Sequence, residues 1–317
     1  MLIQSLILLV GFGLLIKGAD WFVDGASALA KKYKVSSLTI GLTVVAFGTS
    51  APELVVNAFG SIENHQEIVV GNVVGSNIFN LFLILGITGL ITPLVVQSST
   101  VWKEIPLSFL AVFILFVLTF NFLSLEPRLI SRFDGVLLLF MFGVFLLYIY
   151  RQLKKETNEP ESHDKPLSII KLWSFIVLGL TALIFGGKLV VDNAILLASS
   201  LGVSEKIIGL TIVAAGTSLP ELVTSLVAVI KKNDDIAIGN IIGSNIFNIF
   251  LILAVSALIR PITYDPKFDI DLYVLAGGTL FLFVAMFTGK KKKLDRWEAG
   301  VLLVLFLMYS AYMFMNE

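Results

Sequence analysis

The chain repeats itself. The stretch from Gly41 to Val55 (GLTVVAFGTSAPELV) returns at Gly209 to Val223 (GLTIVAAGTSLPELV), and Gly71 to Asn80 (GNVVGSNIFN) returns at Gly239 to Asn248 (GNIIGSNIFN). Both pairs, and Asp24 with Asp192, stand 168 residues apart, so nothing has been inserted between the motifs. One offset shared by three separate features marks a duplication. The chain must therefore fold as two copies of one unit.

Each copy is written for lipid. Apolar residues make up 57% of the 317 and charged residues 15%, whereas a soluble domain carries about 25% charge. A membrane span needs roughly 20 predominantly apolar residues. Ten segments qualify, at about 2–30, 38–62, 69–92, 104–122, 133–151, 169–200, 206–230, 236–259, 269–287 and 296–315. The first lacks a positive flank before it and a small-residue cleavage site after it, so it reads as a retained helix rather than a signal peptide. Between the fifth and sixth lies the charged, proline-bearing run Lys154 to Pro166, which reads as a solvated linker. The expected architecture is an all-α integral membrane protein of ten transmembrane helices. It divides into a first five-helix repeat (1–151), a cytoplasmic linker (152–168) and a second five-helix repeat (169–317).

An odd number of helices per copy turns the second copy upside down. Loop charge agrees with this. With the N-terminus outside, Lys and Arg fall 16 to 5 in favour of the inner loops, and Lys17 and Lys188 within helices complete the 23. Both termini are then external, the repeats are inverted, and the plasma membrane of a prokaryote is the expected location. Net charge is zero and no basic run is interleaved with aromatics, so nucleic acid is not expected as a partner. No obligatory protein partner is evident; the lipid bilayer is the expected surrounding, with the phenylalanines as its coat. The absence of cysteine rules out disulfides and thiolate metal sites. No Ser/His/Asp set or His-rich motif lies in the spans, so an enzyme is not expected, nor a cofactor.

The chemistry sits where ionisable groups are costly. Glu53 and Glu221 stand mid-span, each directly after a proline. Proline lacks an N–H and collides with the carbonyl four residues back, which frees the carbonyls of Gly48 and Gly216 and breaks the helix. Such a break is tolerated in lipid only where other groups or an ion satisfy the backbone. Thr49 and Ser50 share a face with Glu53, as do Thr217 and Ser218 with Glu221. Asn72, Ser76 and Asn80 recur every four residues as one polar stripe, and Asn240, Ser244 and Asn248 repeat it. Carboxylates, hydroxyls, amides and bare carbonyls are ligands for hard cations such as calcium, which takes 6–8 oxygens, and sodium suits them equally.

The two Gly-Thr-Ser-x-Pro-Glu motifs (48–53 and 216–221), each followed by Gly-Asn-x-x-Gly-Ser-Asn, resemble the alpha repeats of the sodium/calcium exchangers, within the cation/calcium antiporter superfamily. The resemblance covers essentially the whole membrane domain. It implies that Glu53 and Glu221, with Thr49 and Thr217, hold calcium at the centre. Sodium would share those carboxylates, on one side with the Ala46 carbonyl, Ser50 and Ser76, on the other with the Ala214 carbonyl, Ser218 and Ser244. Asn80 and Asn248 would line the middle, and helices 1 and 6 would slide as a pair. Some relatives carry aspartate at the Asn80 or Asn248 position. With amides at both, the cluster holds at most two negative charges, enough for one calcium, two sodium ions or two protons. The implied activity is calcium–sodium antiport, with proton/calcium exchange or a passive cation channel as alternatives.

Plainer uses compete for several of these residues. The carboxylates could be structural, the hydroxyls could serve helix packing, and Asn80 and Asn248 could be interhelical hydrogen bonds alone. Asn72, Asn77, Asn240 and Asn245 read as structural, and Asp24, Asp192, Lys17 and Lys188 as interfacial side chains. His65 reads as a solvated loop residue and the run 290–293 as a topology anchor.

Overall fold

Helices account for most of the residues described by the computed structural model, which are 2–120, 128–156, 168–201, 214–289 and 292–315. Most of the linker (157–167), Lys206, the opening of the second long motif (209–213) and Lys290 and Lys291 lie outside the described residues.

In chain order the helices are α1 (Leu2–Tyr33), α2 (Ser37–Thr49), α3 (Ala51–Ile62), α4 (Gln66–Ile91), α5 (Thr100–Phe120) and α6 (Arg132–Glu156). Then follow α7 (Ile169–Ser200), α8 (Ala214–Thr217), α9 (Leu219–Ile230), α10 (Asp234–Ile259), α11 (Pro266–Ala285) and α12 (Arg296–Met315). Four two-residue strands stand in the loops: β1 (Leu94–Val95), β2 (Leu129–Ile130), β3 (Ile262–Thr263) and β4 (Lys293–Leu294). Among the described residues seven helices are long and apolar enough to cross a membrane: α1, α4, α5, α6, α7, α10 and α11. The count is eight if α2 and α3 form one broken span.

That break is local chemistry. Pro52 cannot donate to the preceding turn, and α2 and α3 meet at 46° around Ser50. Ser50 sits at φ −82°, ψ 5°, and its counterpart Ser218 at φ −92°, ψ 8°. The same Ser-x-Pro stretch thus gives the same non-helical joint twice.

Two compact units emerge, Met1–Pro52 with Tyr150–Asn240, and Glu53–Ile149 with Ile241–Glu317. Each draws on both halves of the sequence. In the first unit, α1 packs along α7 through glycines seven residues apart. A β-carbon on Gly18 would stand 2.8 Å from the Leu183 amide nitrogen, and on Gly179 2.6 Å from that of Phe22. Gly11 and Gly186 abut in the same manner, each β-carbon meeting the other's carbonyl at 3.1 and 2.9 Å. Backbones can approach this closely only without side chains between them. Lys231, just beyond α9, pairs with Asp20 at 2.6 Å and Asp24 at 2.7 Å, so these α1 carboxylates are ion-paired.

In the second unit, paired strands clasp the loops: Leu94 opposes Leu294, and Ile130 opposes Ile262, both antiparallel. Arginines finish the helices, Arg296 donating to the Ile91 carbonyl at 3.3 Å and Arg132 to the Leu258 carbonyl at 3.2 Å. Those bonds satisfy carbonyls that a helix end leaves unpaired.

Polarity runs opposite to that of a water-soluble protein. Ile170 and Phe133 are 79% and 77% exposed, while Thr49, Asn57, Asn77 and Asn240 are fully buried. A surface of this kind belongs in hydrocarbon. The phenylalanines are only partly its coat: Phe22, Phe145 and Phe250 are fully buried, because close helix packing needs large side chains to fill its gaps.

Candidate functional site

Within the first unit, the broken end of α2 meets the second motif. Ser50 Oγ donates to Glu221 Oε1 at 3.1 Å, joining a hydroxyl from one copy to the carboxylate of the other. Glu221 is 1% exposed, its Oε2 has no hydrogen-bond partner, and no lysine or arginine among the described residues pairs with it. A buried carboxylate without a counter-charge demands a proton or a cation. Thr49 Oγ1 has one proton and three acceptors in reach: Asn240 Oδ1 at 3.0 Å, the Val45 carbonyl at 3.1 Å and the Ala46 carbonyl at 3.4 Å. Its lone pairs stay open whichever it chooses. Asn240 is in turn oriented by donating Nδ2 to Ser225 Oγ at 3.0 Å and to the Glu221 backbone carbonyl at 3.4 Å.

The remaining expected ligands of this unit are placed less tightly. The Ala46 carbonyl accepts the Ser50 N–H at 3.0 Å, and that N–H also faces the Gly48 carbonyl. Ser218 is buried at the joint before α9, and its carbonyl accepts the Leu222 N–H at 3.1 Å. Thr217 is half-buried on α8, which opens at Ala214.

Within the second unit, Glu53 is 1% exposed. Below it runs a ladder at helical spacing: Asn57 Nδ2 donates to the Glu53 carbonyl at 3.0 Å, and Ser61 Oγ to the Asn57 carbonyl at 2.8 Å. Ser76 Oγ reaches Asn72 Oδ1 at 3.5 Å. Asn80 Nδ2 donates to Asn245 Oδ1 at 3.1 Å, and Asn248 Nδ2 to Asn77 Oδ1 at 2.9 Å. Asn80 Oδ1, Asn248 Oδ1 and Ser244 Oγ are buried with no hydrogen-bond partner among the described residues. An unsatisfied buried acceptor costs about 1–3 kcal/mol, so a set of them calls for a ligand.

A wide π-helical turn spans Phe79–Ile84 in α4 and another Asn248–Ile252 in α10, at Asn80 and Asn248 themselves. Such turns insert one residue without breaking the helix and gather at functional sites. The periodicity of the sequence carries no mark of them.

Sequence reasoning passed over Asn57, Ser61 and Ser225. All three were within its reach: Asn57 and Ser61 follow Glu53 at intervals of four, and Ser225, the counterpart of Asn57, stands four after Glu221. Asn240, Asn77 and Asn245, read as structural, turn out to hold Thr49, Asn248 and Asn80. All the donors gathered in each unit are oxygens, the set that suits hard cations.

Two stretches of the chain, residues 3–151 and 171–315, match the family model described as sodium/calcium exchanger protein. The sodium/calcium exchanger MaX1 of Methanosarcina acetivorans is 33% identical over 98% of this chain and 99% of its own length. Inner membrane protein YrbG of Escherichia coli is 39% identical over 84% of this chain and 83% of its own. A solved structure of the sodium-calcium exchanger NCX_Mj, soaked with 10 mM Na+ and zero Ca2+, superposes with a TM-score of 0.84 at 33% identity, covering 98% of this chain and 99% of that one.

Proposed function

This chain belongs to the sodium/calcium exchanger protein family, and we propose that it is a secondary antiporter that exchanges calcium for sodium across the plasma membrane by alternating access. In this reading Glu53 and Glu221, with Thr49 and Thr217, hold calcium. Ser50, Ser76 and the Ala46 carbonyl complete one sodium site, and Ser218, Ser244 and the Ala214 carbonyl the other. Asn80 and Asn248 line the centre. The scaffold is ten helices in two inverted repeats, 1–151 and 169–317, with both termini outside.

The observation that carries the reading is the bond from Ser50 to Glu221. It brings a hydroxyl and a carboxylate from equivalent motifs of the two copies together in a buried, oxygen-rich place. Glu221 keeps one oxygen bare there, which is what an exchangeable cation needs. The names of MaX1 and NCX_Mj add sodium and calcium as the ions.

The test is flux. Proteoliposomes loaded with sodium and diluted into sodium-free medium at constant pH should take up radioactive calcium, and should stop when the sodium gradient is collapsed. Uptake that ignores sodium and follows a pH step would overturn sodium coupling in favour of proton exchange. Conductance without any counter-ion would point to a channel.

A further inference from the structure

An asparagine can serve a cation only from its oxygen, because its other end is a pair of N–H donors. In the second unit that choice is made by hydrogen bonds of fixed polarity. The backbone carbonyl of Asn245 can only accept, and it takes Asn77 Nδ2 at 3.3 Å. This leaves Asn77 Oδ1 as the acceptor for Asn248 Nδ2 at 2.9 Å. Asn248 Oδ1 is therefore the end left over, buried and undonated. On the other side Asn80 Nδ2 donates to Asn245 Oδ1 at 3.1 Å, and its own Oδ1 is bare.

The arrangement is reciprocal. Asn77 and Asn245 are the same position of the two motifs, and so are Asn80 and Asn248. Each copy thus orients the amide supplied by the other. Flipping Asn77 would set its oxygen against the Asn245 carbonyl oxygen, and flipping Asn248 would set oxygen against oxygen at Asn77. Four amides whose only purpose was to hold helices together would not keep two acceptors buried and empty.

Resting on the ion site read above, we propose that Asn77 and Asn245 are positioning residues: they hold the amides of Asn248 and Asn80 with the carbonyl oxygen, not the amino group, offered to the transported cation. Neither touches the ion. Without its partner, each ligand amide is free to rotate and offer N–H groups to a positive charge.

The experiment is a cycle with aspartate, whose two oxygens need no orienting. The purified full-length protein is titrated with calcium, and the concentration giving half of the maximal rise in melting temperature is read. Asn77→Ala should raise that concentration by about 10- to 100-fold, the usual loss when a ligand's outer partner is removed. In an Asn248→Asp background, where Asn77 Oδ1 faces an oxygen instead of an N–H, adding Asn77→Ala should raise it by no more than about threefold. Asn245→Ala with Asn80→Asp forms an independent second cycle, read in the same way if the first variant fails to fold. An equal loss in both backgrounds would assign Asn77 a packing or ligand role and overturn the inference, as would no loss in either. A wild-type chain that calcium does not stabilise overturns the site and this inference together. Stabilisation by calcium without sodium-driven flux removes only the antiport reading.

Discussion

Glu221 has one oxygen bonded to Ser50 and the other to nothing, and the two ends make separable demands. Glu221→Gln removes the charge that both ions are proposed to share, so exchange is expected to fall to the level of protein-free liposomes while the protein still folds; Glu53→Gln should do the same. Ser50→Ala keeps the charge and deletes a hydrogen bond to an ionised group, a loss of about 1.5–3 kcal/mol. A roughly 10- to 100-fold rise in the half-saturating sodium concentration is expected, measured by sodium-dependent calcium efflux. Wild-type rates in either glutamine variant would remove the carboxylates from the mechanism. The motifs that carry the proposed ligands were legible because duplication prints each twice and proline marks the break. Their partners were not. Asn240 lies 191 residues from Thr49, and no periodicity links positions so far apart.

At the level of elements, helix existence followed from hydropathy, and the break at Ser50 followed from Pro52. The π turns at Phe79–Ile84 and Asn248–Ile252 did not, because neither hydropathy nor periodicity marks where a helix widens. The seam between α1 and α7 occupies a middle ground. Gly11, Gly18 and Gly25, and Gly179 and Gly186, are visible in the sequence at intervals of seven, but hydropathy alone does not distinguish them from glycines facing open space. Gly179 is one of the former, whereas Gly13 has nothing within 4 Å of a β-carbon. Gly179→Val should force the two backbones apart at a cost of about 1–3 kcal/mol and lower the melting temperature of the purified protein. Gly13→Ala should leave it unchanged. Such a seam also joins α1 and α7 along their lengths, which suits a pair proposed to slide as one body. Comparable stability of the two variants would deny the seam that role.

For the molecule as a whole, the decisive part of the proposal is that equivalent residues of the two copies belong on opposite sides of the membrane. Each compact unit already mixes both halves of the sequence, so neither copy forms a compact unit by itself. An antiparallel duplication explains how one chain can supply the same motif to two opposed faces, and the bias of lysine and arginine toward one set of loops points the same way. Thr92 and Arg260 put this to a direct test. They are equivalent positions, 168 apart, at the ends of α4 and α10, and both are exposed. The chain has no cysteine, so a single introduced thiol is the sole thiol through which a maleimide can label this protein. In intact cells a membrane-impermeant maleimide should label Arg260→Cys and spare Thr92→Cys until the membrane is permeabilised. Labelling of both from outside, or of neither, would make the copies parallel, and a parallel pair could not present one ion site alternately to the two sides by exchanging the conformations of its halves.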